Sequence, residues 1–114
     1  MDTNQAAWFL RALGDGTRLR ILALLKQGPL KVGDIARTLR RPISTVSRHL
    51  RHLHARGLLE WENVPDGVLY RLTPPDHCLH EQVLPVVQAC LAEMREVQTD
   101  HARAAGKRAA RGRR

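Results

Sequence analysis

Residues 34–53 read DIARTLRRPISTVSRHLRHL, and few folds accommodate such a run. Ile35, Ala36 and Leu39 share one face of a short helix, the spacing of a buried element. Pro42 breaks the run: it has no N–H for a helix already under way, and it restricts Arg41 before it. The second piece then repeats Val46, Leu50 and Leu53 at i, i+4, i+7, a stripe that must face a core. At about 100° per residue, the opposite face carries Ser44, Arg48 and Arg51, with Thr45 and His52 at its edge. Two short helices joined by a tight turn, the second cationic on its open side, predict a helix-turn-helix.

Such a face suits the major groove of DNA. Arginine bonds guanine in a bidentate fashion, Ser and Thr bond bases or phosphates, and the Thr methyl meets the thymine methyl. An ordinary solvated helix face has the same composition, so charge placement matters. Residues 31–56 carry a net +6, residues 101–114 another +6, residues 57–100 a net −6 and residues 1–30 a net +2, together the chain's +8. Positive charge thus gathers on the suspected reading element and on the C-terminal end rather than over the whole surface.

A chain of 114 residues holds one domain with a modest core, small enough to gain from a partner. We divide it into residues 1–102, a DNA-binding and dimerisation domain, and residues 103–114, a basic tail expected to be disordered because AGKRAARGRR has no apolar stripe. The tail solubilises the chain or grips phosphate non-specifically; both readings stay open. Two cysteines, Cys78 and Cys90, do not make a disulfide scaffold at this length. The N-terminal MDTNQAAWFL has neither a basic n-region nor an apolar run, and no stretch approaches the roughly 18 apolar residues of a membrane span. The expected setting is the cytoplasm, with no membrane partner.

In chain order, Thr3 is expected to cap a first helix ending near Leu13, and Asp15 a second one over residues 17–27, stopped by Gly28-Pro29. Helices over residues 32–39 and 43–56 follow, closed by Gly57. Alternation over residues 58–63 and again at Val68, Tyr70 and Leu72, around the turn Val64-Pro65-Asp66-Gly67, predicts a hairpin. A hairpin directly after such a helix is a wing. Beyond Thr73-Pro74-Pro75, the positions Leu84, Val87, Leu91, Met94 and Val97 form one long stripe, read as a helix buried against a second copy of the chain. Pro85 would either start that helix or kink it. The fold class is therefore mainly α with a small β-hairpin: a winged helix-turn-helix with N- and C-terminal dimerisation helices.

The runs ALGDGTRLRILALL and STVSRHLRHLHARGLL, with the D-I-A helix between them and a hairpin ending in YRL, resemble the ArsR/SmtB family of bacterial winged-helix transcriptional repressors. The similarity covers Phe9 to Leu72, with weaker support to Val97. It implies a homodimer on a pseudo-palindromic double-stranded operator, controlled by a small effector. Carried over by position, Ser44, Thr45, Ser47, Arg48 and His49 match the family's DNA-reading helix. Arg40 and Arg41 in the turn, Arg51 and His52 on the helix and Arg71 in the wing complete the candidate DNA-binding set. Arg40 stands where the family usually has Gly, which implies a left-handed residue costing up to about 1 kcal/mol.

Departures from the family bear on control. Lys31 and Gly33 replace the two cysteines that many members place before the first DNA-binding helix, so that thiolate site is absent. The family's site on the last helix, D-x-H followed by H-x-x-E or H-x-x-H, is met by Asp76-His77-Cys78 and Cys90-Leu91-Ala92-Glu93, with cysteine at both histidine positions. The gap is also one residue longer, which turns the second pair by about 100° on a helix. Cys78, His80, Cys90 and Glu93 are the candidate effector residues, and zinc or another soft metal is the ion such a set would take. A thiol switch and a regulator without an effector are the rivals, so no cofactor is assigned. No Ser/His/Asp, paired-carboxylate or Gly-rich phosphate arrangement points to an enzyme. The acidic wing residues Glu60, Glu62 and Asp66 keep a protein-contact module as the alternative class.

Overall fold

The computed structural model describes residues 1–112, with side chains as far as Arg108. Helix α1 (Thr3–Ala12) begins in a capping box. The Asp2 carboxylate accepts from the Gln5 N–H at 2.8 Å and Gln5 Oε1 accepts from the Asp2 N–H at 2.8 Å, so the cap is Asp2 rather than Thr3. Helix α2 (Gly16–Leu25) is capped by Asp15 as expected, through the Arg18 N–H at 3.0 Å. It is buried on nearly every side, from Arg20 to Leu25, which makes it the axis of the domain.

Strand β1 (Leu30–Lys31) leads into α3 (Val32–Leu39) and α4 (Ile43–Ala55). Strands β2 (Leu59–Val64) and β3 (Gly67–Leu72) form the predicted hairpin, with Trp61 opposite Tyr70. β1 pairs antiparallel with β3, giving a sheet of order β1-β3-β2. This third strand was not anticipated; two residues are too few to show alternation. Ile21, Leu22 and Leu24 of α2 meet Ile35 and Leu39 of α3, Val46, Leu50 and Leu53 of α4, and Leu59 of the hairpin in a single core.

The C-terminal third departs from expectation. The single long helix is two helices, α5 (Cys78–Leu91) and α6 (Arg95–Gly112), separated at residues 92–94. Pro85 lies inside α5 instead of opening it, at an exposed position where the carbonyl it leaves unbonded can meet water. The long stripe is not held open for a second copy as a whole: Leu84, Leu91 and Val97 are already buried within the chain, and Val87 is half-buried. Among the described residues the large apolar side chains left exposed include Trp8 and Leu10 on α1, Val86 on α5 and Met94 in the link, besides Met1, Ile43 of α4 and Trp61 of β2.

The expected disorder from residue 103 onward does not hold for residues 103–108. These lie on α6, which packs across α2 and α3. Its inner face is Val97, Asp100 and Ala104, spaced i, i+3, i+7, and all three are buried. A stripe with a carboxylate at its centre and alanine at its end does not register as hydrophobic, which is why it escaped the sequence. Asp100 is satisfied by Arg20 of α2, whose guanidinium donates to both carboxylate oxygens at 2.9 and 2.8 Å. Arg103 donates to the Thr38 carbonyl at 3.0 Å, and Arg108 to those of Leu24 and Gly28 at 3.0 and 2.7 Å. Basic residues of the supposed tail therefore act as caps on carbonyls of the body. Residues 113 and 114 lie outside the described residues.

Candidate nucleic-acid interface

The turn between α3 and α4 sets the direction of α4. Arg40 adopts φ 55°, ψ 50°, the left-handed conformation expected of a position where glycine is usual. Its N–H bonds the Arg37 carbonyl at 3.3 Å while the Arg41 N–H bonds that of Ala36 at 3.1 Å, the bond pair of a Schellman motif. Extended Pro42 then starts α4 without a side-chain cap, so its first backbone N–H groups keep their donors for an outside acceptor.

From this turn α4 presents the predicted polar face. Ser44, Arg48 and Arg51 are exposed, and Thr45, Ser47 and His52 are half-buried at its edges, while Val46, Leu50 and Leu53 sink into the core. Ser47 also borders a cleft of about 530 Å³ between α4 and the wing, lined in part by Lys31, Arg37 and Ile43. His49 is placed differently. Its Nδ1 lies 3.4 Å from Nη1 of Arg18, whose other nitrogens donate to the carbonyls of Ala12 and Arg11 at 2.8 and 3.0 Å. The ring thus tethers α4 to the end of α1, and burial holds its pKa below the ordinary histidine value against the pull of Asp15. Burial likewise lowers His52, whose Nε2 is buried without a hydrogen-bond partner.

The wing's cations are engaged. Arg71 of β3 is ion-paired with Glu62 of β2, and Lys31 of β1 with Asp66 of the hairpin turn. Arg71 is therefore present at the predicted place, with its charge partly offset by Glu62.

The candidate effector residues are not gathered within the chain. Cys78 and Cys90 are exposed free thiols at opposite ends of α5, about 18 Å apart at 1.5 Å per residue. Glu93 lies beyond α5 in the exposed link, while His80 is 2% exposed. What the fold does assemble is Asp76, His77 and His80, whose ligand atoms all lie within 4.8 Å of one another. The His77 ring caps α5 by accepting from the His80 N–H at 3.2 Å, and stands edge-on to Phe9 of α1 at 4.8 Å between centroids. Asp76 was matched to the family's D-x-H, but neither it nor His77 stood among the candidate effector residues; the signal for them was Asp-His-x-x-His across a helix start, which brings all three together.

This architecture has relatives. Residues 15–60 match the model of the bacterial regulatory protein arsR family. The homodimeric winged helix-turn-helix DNA-binding domain of a Mycobacterium bovis protein is 31% identical and superposes with a TM-score of 0.68, over 82% of this chain and 83% of that one. The chain belongs to the ArsR family. The regulator NmtR of Mycobacterium tuberculosis is 38% identical over 68 residues, 60% of this chain and 57% of the relative. The repressor SmtB of the same species is 37% identical over 84 residues, 74% of this chain and 61% of the relative. The chain thus spans less than two thirds of the length of these two HTH-type regulators. The winged helix-turn-helix expected from the resemblance is the fold observed. Among the described residues no helix is long and apolar enough to cross a membrane.

Proposed function

We propose that this ArsR-family chain is a cytoplasmic transcriptional repressor that binds a pseudo-palindromic operator as a homodimer. The observation that carries the reading is the outward face of α4. Ser44, Arg48 and Arg51 stand exposed on a helix anchored by three buried aliphatics and begun by an uncapped turn. Arg48 and Arg51 have the fork geometry for guanine O6 and N7, and Ser44, Thr45 and Ser47 suit bases or phosphates. Arg40, Arg41 and the free N–H groups at the start of α4 take the backbone. His52 and Arg71 are peripheral phosphate contacts, and His49 positions α4 through Arg18. The exposed apolar residues of α1 and α5, Trp8, Leu10 and Val86, support pairing of two copies through those helices. Two α4 helices would then meet half-sites about one helical turn apart or a multiple of it. A gel shift on the DNA upstream of the chain's own gene, at low and high salt, tests this. Salt-sensitive binding by a dimer is expected; absence of salt-sensitive binding would favour a protein-contact module.

Control by a metal ion at the start of α5 is the second part of the reading, supported by the grouping of Asp76, His77 and His80. Two imidazoles and a carboxylate are the donor set of a three-ligand zinc site. Asp76 is exposed and free to close the remaining distance, so the residues fit. Nε2 is the His77 nitrogen left for an ion, and binding there would place the ring proton on Nδ1, so the cap on the His80 N–H would be given up. A bound ion would add positive charge beside Phe9 of α1, on a helix proposed to pair with a second copy. Exposed Cys78 is one residue from His77 and offers a soft ligand if it turns inward; Cys90 and Glu93 could join only from a second copy. Zinc titration by calorimetry should show binding lost in His80→Ala and Asp76→Ala and kept in Cys90→Ser. Equal binding by all four proteins would rule out this site.

A further inference from the structure

We infer that α6 extends the DNA-binding surface: Arg95, at its first turn, joins Arg40 and Arg41 in a cleft that takes a backbone phosphate beside the groove read by α4. This rests on the DNA-binding reading above and names a further side chain for it. The cleft, about 500 Å³ and open to solvent, lies between the start of α6 and the α3–α4 turn. Five guanidinium groups line it, those of Arg20, Arg40, Arg41, Arg95 and Arg103. Two of them are committed. Arg20 holds Asp100 in a bidentate pair, with Glu96 at 3.6 Å from its Nε, and Arg103 donates to the Thr38 carbonyl. Among the described residues, Arg40, Arg41 and Arg95 have no carboxylate within ion-pair distance, and all three are exposed.

The two carboxylates of the wall, Glu96 and Asp100, face Arg20, so Arg40, Arg41 and Arg95 share the cleft as three like charges outside an ion pair, on backbone that is held in place. Arg40 and Arg41 sit in the Schellman turn, and α6 is pinned by buried Asp100 and Ala104. An anion relieves that repulsion without rearranging anything. The lining also says what kind of anion. Small-molecule sites are mostly apolar, and here Leu39 is the only apolar residue in the wall among the described residues. An open, cationic cleft fits a polyanion passing over the surface. Its place fits DNA: the chain goes from Arg41 through Pro42 directly into α4, so the strand flanking the groove that receives Ser44 runs past this turn. Arg103 and Arg108 are occupied by backbone carbonyls, whereas the Arg95 side chain of the same helix bonds none among the described residues.

Fluorescence anisotropy of a labelled operator duplex, titrated from about 50 to 200 mM salt, tests the inference in the full chain. Each neutralised phosphate contributes about 0.9 to the slope of log affinity against log salt. In a homodimer Arg95→Ala removes two such contacts and should flatten the slope by about 1.8, so that its affinity falls about 12-fold less than the parent's over this range. The loss should be the same factor on operator and on random duplex, and Arg95→Lys should restore the slope. Arg95 makes no side-chain hydrogen bond among the described residues, so the variant should keep the parent's circular dichroism. A parent that binds with a salt-dependent slope and an Arg95→Ala variant with the same slope would overturn the inference alone. A parent that binds no DNA would overturn the DNA-binding reading, and the inference with it.

Discussion

Removing the Asp100 carboxylate is the sharpest perturbation this fold offers. In Asp100→Ala, the Arg20 guanidinium loses two charge-assisted bonds of 2.9 and 2.8 Å, made where the two side chains are only 9% and 1% exposed. It keeps the Leu39 carbonyl at 3.2 Å and the screened Glu96 at 3.6 Å. The guanidinium stays charged even without this carboxylate, because arginine is not deprotonated in proteins, and so cannot escape by losing its proton. Breaking a buried pair from one side costs about 3–5 kcal/mol. Two routes relieve this cost: Glu96 swings inward, or α6 lifts so that water reaches Arg20. Lifting α6 exposes Val97 and Ala104 and frees the carbonyls held by Arg103 and Arg108. Burial of one valine side chain is worth about 1.5–3 kcal/mol, so lifting costs about as much as the broken pair and neither route is free. The expected loss is therefore about 3 kcal/mol, the lower end of the range. At an m-value of about 1.5 kcal/mol/M, the urea midpoint followed by circular dichroism should drop by about 2 M at fixed protein concentration. Arg20→Met/Asp100→Leu should recover most of the loss, because an apolar pair of similar size leaves no charge unpartnered. A loss below about 1 kcal/mol, or a double variant no better than the single one, would refute the claim that this pair holds α6 in place.

Arg40→Gly should act in opposite directions on folding and binding. Relieving the left-handed Arg40 should stabilise the chain by about 0.5–1 kcal/mol, while lost phosphate contact weakens DNA affinity; a destabilised variant would contradict the strain. Arg48→Ala should lose about 1–3 kcal/mol of operator binding and relax selectivity at one base position, measured by a panel of single-base operator variants. A uniform loss across the panel would make Arg48 a phosphate contact instead. Stability should also fall in acid. Burial lowers the folded-state pKa of His49, His52 and His101, so below the unfolded value of 6.5 the unfolded chain binds more protons than the folded one. The contribution is fully present above pH 6.5 and is lost as pH drops below it, so the melting temperature should be lower at pH 5.5 than at 7.5. His101→Phe should narrow that gap, and a chain more stable at pH 5.5 would reverse the sign of the argument.

Most of the helix-turn-helix and its wing was legible in residues 15–72, because the signals there are local. Asp15 caps α2 through a side chain three residues from its donor. Val46, Leu50 and Leu53 share a face by helical geometry alone, while the left-handed turn at Arg40 was implied by the glycine usual there in the family the chain resembles. The outward residues of α4 followed from the same periodicity. His49 did not, since its orientation depends on Arg18, which is 31 positions away. The C-terminal third was legible only in part, for the same reason on a larger scale. Whether a basic, alanine-rich segment is a tail or a docked helix turns on Asp100 finding Arg20 across 80 residues, and no local pattern records that. Nor does sequence spacing show that α5 keeps Cys78 from Cys90 while its first turn brings His80 to Asp76 and His77. Local chemistry chose the elements and the reading face. Tertiary packing decided which charges are spent on the protein's own backbone and which, at Arg40, Arg41 and Arg95, remain for a partner.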